Sequence, residues 1–475
     1  MIKASGQPSG QCSFFDANNE RIDSVPLKSI NPADGSLLAT FDELTSQQLQ
    51  QKLSDAEKAF ISWRKSSFEE RSAVLRKIAD LLEAEKQSWG RLMTLEMGKP
   101  IKQAVGEVEK CAATCRYFAD HGASFLVDEQ TTHPNSVIRC LPLGTLLAVM
   151  PWNFPFWQVI RCLAPAIMAG NTVLLKHASN VPQCALAIED IVRRAGLPDG
   201  VFQTLLIGSA RVADVIRDRR VAAVTLTGSE EAGAQVAAVA GEALKKCVLE
   251  LGGNDPFIVL PSADLEKAVA TGVQARVVNN GQSCVCAKRF IIHEDVYDRF
   301  EQQFAEAMAN LPVGDPLDDG TEVGPLANTA GLSTLRRQVE ESVAAGARVV
   351  CGGEATDGAG CYFPPMVLAD VPPDAPVYRE EVFGPVAVLF KVRNLDEAIV
   401  LANDSPYGLG SSVWTNETAE QERCINEIEA GLTFINAMVA SDPRIPFGGV
   451  KLSGYGRELG KIGSREFTNV KTVFV

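Results

Sequence analysis

Thr145-Leu146-Leu147-Ala148-Val149-Met150 runs without a charged residue into Pro151-Trp152-Asn153-Phe154-Pro155. An apolar run of this length, stopped by prolines, reads as a strand with both faces buried, because a strand with one wet face would alternate. Thr172-Val173-Leu174-Leu175, Thr204-Leu205-Leu206-Ile207 and Ala222-Ala223-Val224-Thr225-Leu226 repeat the signal, and the segments between them are long enough for crossover helices. Together they predict a parallel sheet covered by helices on both faces. Such sheets gather ligand-binding loops at the carboxyl ends of their strands. Pro151-Trp152-Asn153, Lys176-His177 and Thr227-Gly228-Ser229 all fall there.

Upstream, residues 1–44 are turn-rich, with Asn31-Pro32 and Asp34-Gly35 marking turns. Thr45 and Gln48 form a capping box ahead of Leu49, Leu53, Ala56, Phe60 and Trp63, whose spacing is helical. A second helix follows through Leu75, Ile78, Leu81 and Leu82, and a third over 102–119. Phe125-Leu126-Val127 and Val137-Ile138 then flank a polar turn, which predicts a hairpin standing outside the helices. An edge ribbon of that kind needs a partner, and another subunit can supply one. Downstream, Phe257-Ile258-Val259-Leu260 and Phe290-Ile291-Ile292 begin a second α/β region. It continues with a helix over 331–345, a turn-rich segment over 352–360, and strands over 386–391 and 410–414. The β-prone tail Thr472-Val473-Phe474-Val475 is suited to pairing with a neighbour's hairpin.

At 475 residues the chain is too long for one core and should split into two or three lobes. A net charge of -14 disfavours nucleic acid and anionic membranes as partners. No apolar run approaches the ~20 residues of a membrane span. The first residues lack the basic-then-apolar pattern of a secretory signal, and the twelve cysteines are scattered through the chain, which suits a reducing cytoplasm. Four histidines and no CxxC pair point to no metal site, and Cys111 and Cys115 read as packing residues of one helix.

The candidate chemistry centres on Asn279-Asn280-Gly281-Gln282-Ser283-Cys284-Val285-Cys286, a polar glycine-containing turn in which a thiol would be accessible. A thiol that attacks a carbonyl needs an oxyanion donor, a group that manages water or protons, and a hydride acceptor. Asn153 can donate its amide to an oxyanion, though a plain turn asparagine would look the same. Glu250, in Val248-Leu249-Glu250-Leu251-Gly252-Gly253, sits among apolar residues that would raise its pKa toward a general base's range. Gly228-Ser229 opens a helix whose first amides can meet a phosphate; an ordinary strand-to-helix turn is equally compatible.

These segments, taken in order, resemble the NAD(P)-dependent aldehyde dehydrogenase superfamily from about Asn31 onward. Met97-Gly98-Lys99-Pro100, Pro151-Trp152-Asn153-Phe154-Pro155, Leu226-Thr227-Gly228-Ser229 and Leu249-Glu250-Leu251-Gly252-Gly253 carry the likeness. So do Gly281-Gln282-Ser283-Cys284, Glu380-Glu381-Val382-Phe383-Gly384-Pro385 and Pro446-Phe447-Gly448-Gly449-Val450-Lys451. The resemblance implies a Rossmann-like cofactor domain over 1–121 and 144–249, a second α/β catalytic domain over 250–450, and a small β oligomerisation arm and tail over 122–143 and 451–475. It implies Cys284 as nucleophile, Asn153 with the Cys284 amide as oxyanion hole, and Glu250 as the activator of water. Trp152, Lys176, Ser179, Gly228, Ser229, Glu381 and Phe383 would contact the cofactor. Serine at 179, where NAD-preferring relatives often carry glutamate, would accept a 2′-phosphate, so NAD or NADP is expected. His177 stands where the family commonly has proline.

Within the superfamily, Gly-Gln-Ser-Cys-Val-Cys and Arg161 resemble succinate-semialdehyde dehydrogenases, above all a bacterial branch. Arg161 and Ser441 would hold the distal carboxylate of a small aldehyde. A third anchor, an arginine in those enzymes, is Val278 here, with Arg276 or Arg444 as possible substitutes. Glutarate semialdehyde or a broad aliphatic range is the alternative substrate class, and a non-catalytic binding or structural descendant the alternative of another kind. A CoA-acylating enzyme would share the thiol but would not need Glu250. Cys286 next to the nucleophile suggests an oxidation switch, with an inert core thiol as the plain alternative. The resemblance also implies a homodimer or homotetramer.

Overall fold

The computed structural model describes residues 26–353 and 359–475. The first 25 residues of the expected cofactor domain, and most of the turn-rich segment expected over 352–360, lie outside them.

A six-stranded sheet runs in the order Gly454–Tyr455, Lys246–Glu250, Val221–Thr227, Thr145–Met150, Thr172–His177, Phe202–Thr204. All its strands are parallel except the Gly454–Tyr455 edge, which pairs antiparallel with Lys246–Glu250. Chain order reverses between the neighbours Thr145–Met150 and Val221–Thr227, so the loops leaving these two strands flank a crevice. Those loops are Pro151–Pro155 and Thr227–Ser229. The decisive apolar run is buried except at half-buried Val149, with Leu146 at 0 % exposure and Met150 at 2 %.

The helices form for local reasons. Thr45 Oγ1 accepts from the Gln48 amide at 3.2 Å and Gln48 Oε1 accepts from the Thr45 amide at 2.8 Å, completing the expected box. Ser67 and Glu70 make a second one, which starts the helix Phe68–Ala84. The third helix is longer than its periodicity indicated, Ile101–Phe125, so Phe125 closes a helix instead of starting a strand. The hairpin is instead Glu129–Gln130 against Ser136–Pro142.

Thr204-Leu205-Leu206-Ile207 is expected as the third strand; the strand is Phe202–Thr204. Beyond it the Ile207 amide turns back onto the Leu205 carbonyl at 3.0 Å. Leu205 and Ile207 are apolar because they pack with Leu49 and Leu53 of the first helix.

The second sheet has seven strands, in the order Arg348–Cys351, Met366–Ala369, Val386–Val392, Ala287–His293, Asp255–Val259, Gly410–Trp414, Leu432–Ile435. Only the Arg348–Cys351 edge is antiparallel. Lys246–Glu250 is the last parallel strand of the first sheet in chain order, and five residues later Asp255–Val259 begins within the second. The carboxyl ends of one sheet therefore face the amino ends of the other.

The tail does not wait for a neighbour. Thr468–Phe474 pairs along its whole length with Ser136–Pro142 of the same chain, from Thr468↔Pro142 to Phe474↔Ser136. This ribbon satisfies its backbone internally and still exposes Val470, Phe474 and Val475. Earlier in the same terminal span, Gly454–Tyr455 and the helix Gly460–Glu466 belong to the first sheet and its covering helices. Among the described residues no helix is long and apolar enough to cross a membrane, and no cluster of three metal-ligating side chains occurs.

Candidate active site

The segment bearing Cys284 is a bracket more than a turn. Asn279 and Asn280 adopt left-handed backbone, φ 55° and 58°, and Gly281 follows at φ 74°. Left-handed asparagine costs about 1 kcal/mol per residue, which local hydrogen bonds can offset. Asn279 Nδ2 donates to the Asn153 carbonyl at 2.6 Å and the Gln282 carbonyl at 3.0 Å. Asn280 Nδ2 donates to the carbonyls of Gly98 and Pro325, both at 2.8 Å, and its Oδ1 accepts from the Gly324 amide. A side chain at Gly281 would collide with the backbone of Gly384. The polar residues expected to make this segment accessible are thus fully buried ties to three other segments. Cys284 itself is half-buried and Cys286 fully buried.

Cys284 opens onto two cavities. The first, of about 230 Å³, is lined by Pro151, Trp152, Asn153, Thr227, Gly228, Ser229, Leu251, Gly252, Glu381 and Phe383 as well as Cys284. The Trp152 and Phe383 rings meet edge to face at 5.8 Å. Ser229 caps the helix Glu230–Glu242, its Oγ accepting from the Ala232 amide at 3.3 Å. Glu381 is anchored by Lys288 Nζ at 2.9 Å and by the Gly253 amide at 3.1 Å. Strand ends, a helix amino terminus and an aromatic wall suit a dinucleotide. Lys176 and Ser179 stand off this wall: Lys176 is buried at its strand end and Ser179 is exposed beyond it.

His177 explains how the loop is held without proline. Its Nδ1 accepts from the Ala178 amide at 2.9 Å, so Nε2 carries the hydrogen and donates to the Pro155 carbonyl at 2.9 Å. Burial holds this imidazole neutral, its pKa pushed down to about 4.

The second cavity, of about 150 Å³, lies on the other side of Cys284 and is lined by Trp157, Arg161, Val278, Ser441, Phe447 and Lys110, among others. Glu107 helps to shape it by accepting from the Phe156 and Trp157 amides at 2.9 Å, which fixes the start of the helix Trp157–Ala169. Arg161, on that helix, is 1 % exposed. A lone buried guanidinium would be very costly, and this one is paired. Nε meets the Glu458 carboxylate, Nη2 donates to Thr227 Oγ1 at 3.2 Å, and the Phe447 ring covers it at 4.9 Å. Arg276 and Arg444 line neither cavity. Arg276 is fully buried with Nη2 on the Gly281 carbonyl, and Arg444 is exposed and tied to Asp442.

Asn153 Nδ2 donates to the Gln282 carbonyl at 3.2 Å beside Cys284, whereas Glu250 is on the wall of neither cavity. Its strand is joined to the first cavity through the Gly228 amide, which donates to the Glu250 carbonyl at 3.1 Å. Among the described residues neither Glu250 carboxylate oxygen has a hydrogen-bond partner. Burial drives its pKa well above the carboxylate range, the Glu458 charge adds to this, and Arg161 opposes it. The Cys284 thiol is pushed up to about 12 by desolvation, with Lys288 and Arg161 pulling it down.

A thiol set between a cleft suited to a dinucleotide and a mostly apolar cavity that holds Arg161 and Lys110 matches the comparison with known proteins. The aldehyde dehydrogenase family model matches residues 19–473. The chain belongs to the aldehyde dehydrogenase family. It is 54% identical over 453 residues, 95% of this chain and 100% of the other, to a probable succinate-semialdehyde dehydrogenase [NADP(+)] of Synechocystis. It is 52% identical over 456 residues to succinate-semialdehyde dehydrogenase [NADP(+)] 1 of Mycobacterium tuberculosis, again covering 95% and 100% of the two chains. The solved succinic semialdehyde dehydrogenase of Streptococcus pyogenes, in complex with NADP+, superposes with a TM-score of 0.93 at 38% identity, over 94% of this chain and 99% of that one. As an aldehyde dehydrogenase, the chain holds two charged groups at the site that no motif marked, Lys110 and Glu458. In the sequence Lys110 is one of several charges on its helix, with Glu107 on the same face, and Glu458 is a charge in a tail assigned to assembly.

Proposed function

We propose that this chain oxidises succinate semialdehyde to succinate with NADP+ or NAD+, through a covalent intermediate on Cys284. The observation that carries the substrate class is the cavity behind Cys284, where Arg161 and Ser441 are set back from the sulfur. A distal carboxylate placed there would leave the aldehyde carbon at the thiol. The high identity to relatives named for this substrate supports the same reading.

In this mechanism the Cys284 thiol passes its proton to solvent and its thiolate adds to the carbonyl carbon, whose π electron pair moves onto oxygen to give the thiohemiacetal. Asn153 Nδ2 and the Cys284 amide donate to the oxyanion. Trp152, Phe383 and the Ser229 turn would hold a nicotinamide, which when bound would supply the hydride acceptor for oxidation to the thioester. Glu250 must turn out of its pocket beside Glu458 to take a proton from the water that attacks the thioester. Lys176 and Ser179, beyond the cleft, would receive the adenosine end and its 2′-phosphate.

The same reading assigns the first sheet to cofactor binding and the second to presenting Cys284. It has the exposed ribbon of Ser136–Pro142 and Thr468–Phe474 joining subunits into a dimer or tetramer in the cytoplasm, and Cys286 as an oxidation partner of Cys284. Peroxide inactivation that dithiothreitol reverses in wild type and not in Cys286→Ala is expected for the last; identical behaviour in both would remove it. The test of the function is product analysis. Purified enzyme with succinate semialdehyde and NADP+ should form succinate and NADPH in equal amounts, and absence of turnover with either cofactor would refute the assignment.

A further inference from the structure

Arg161 alone does not make the second cavity attractive to an anion. Its charge is already matched by Glu458, so the buried pair is neutral overall. The cavity's unmatched positive charge belongs to Lys110, on the helix Ile101–Phe125. Lys110 Nζ donates to Ser441 Oγ at 2.9 Å and stands 4.0 Å from the centre of the Trp157 ring. It forms no ion pair among the described residues, and the acidic groups that act on it, Glu107 and Asp442, are bound by Lys99 and Arg444. Gln158 and Ser283 add polar but uncharged groups to the lining, and Val278, Val285 and Met438 add apolar surface.

We propose that Lys110 is the cation that selects for carboxylated aldehydes, gripping the distal carboxylate together with Arg161 and Ser441. The assignment rests on the substrate class proposed above and names the residue that sets it. A part-buried ammonium over an aromatic ring, with one hydroxyl as its hydrogen-bond partner among the described residues, has two donors free for a ligand. The cost of keeping it charged shows in its pKa, pushed down to about 8 by burial with the Arg161 charge acting in the same direction. A bound carboxylate offsets both effects, whereas an uncharged aldehyde offsets neither.

The experiment compares succinate semialdehyde, glutarate semialdehyde and butanal in wild type, Lys110→Met, Lys110→Arg, Ser441→Ala and the Lys110→Met/Ser441→Ala double variant. In Lys110→Met the ratio of kcat/KM for succinate semialdehyde over butanal should fall at least about tenfold, carried by KM with kcat little changed. Glutarate semialdehyde should lose in parallel, and Lys110→Arg should recover most of the ratio. In the Ser441→Ala background Lys110→Met should still cost about fivefold or more. No further loss there would reduce Lys110 to a holder of Ser441 and overturn the proposal. An unchanged ratio in a Lys110→Met enzyme whose wild type prefers carboxylated aldehydes overturns it while the proposed function stands. A wild type without that preference overturns both.

Discussion

The two cavities that meet at Cys284 are built from different materials. The cofactor side is made of strand ends, a helix amino terminus and glycines, and most of its lining residues follow one another in short motifs. The carboxylate side is made of single side chains from remote places: Lys110 from a long helix, Arg161 from a buried one, Ser441 from a loop after the second sheet. In the proposed mechanism Cys284 and the first cavity serve every aldehyde, and isolated side chains of the second cavity supply the choice among them. Variants should therefore divide cleanly, those near the sulfur affecting all aldehydes and those in the second cavity only some.

The largest effect is expected at the shared wall. Cys284→Ala should lower turnover of every aldehyde by at least about 10³-fold. A residual rate near wild type would remove the thiol from the centre of the comparison. Glu250→Gln should come next, with steady-state turnover down about 10²-fold and the first turnover preserved as a burst of reduced cofactor. Because Glu250 must be ionised to act and burial favours its protonated form, wild-type kcat should rise with pH, and the variant should lose that limb. Loss of the burst would instead place Glu250 before acyl transfer.

Arg161→Met tests the second cavity. Selectivity for succinate semialdehyde over butanal should fall tens of fold, since a charged hydrogen-bonded contact is worth about 2 kcal/mol or more. The same change strands Glu458, so the melting temperature should drop; removing one member of a buried pair costs about 3–5 kcal/mol. Adding Glu458→Gln should restore stability without restoring selectivity, and recovery of both would make Arg161 a structural residue. On the cofactor side, Ser179→Glu should lower kcat/KM for NADP about tenfold and spare NAD, since a carboxylate there would repel the 2′-phosphate.

The smallest effect concerns His177. Its folded pKa of about 4 lies below the ordinary 6.5. Its contribution is therefore complete above pH 6.5 and is lost as pH falls toward 4, by an amount on the order of 3 kcal/mol. Denaturant titrations across this window should show a shallower pH dependence in His177→Gln. An equal slope would mean that the strap to Pro155 is not made by a neutral imidazole.

Much of this division was already visible in the chain. The run at Thr145–Met150 carried the first sheet because an uninterrupted apolar strand has few places to go. The Thr45 box was a local signal and appeared as read. The failures share a cause. Leu205 and Ile207 are apolar for packing against a helix, and Asn279 and Asn280 are polar for tying segments together inside the protein, so neither burial nor accessibility followed from residue type. Lys110 and Glu458 gave no motif because their roles depend on elements that only folding brings together. The tail's β-propensity was legible, but its partner within the same chain was not.

The most direct test of the two-cavity account is a crystal structure of Cys284→Ala with NADP+ and succinate semialdehyde bound. The account predicts the nicotinamide against Trp152 and Phe383, and the substrate carboxylate on the far side of residue 284 within hydrogen-bond distance of Arg161 and Ser441. A carboxylate lying in the cofactor cleft or in solvent, with the second cavity empty, would contradict it.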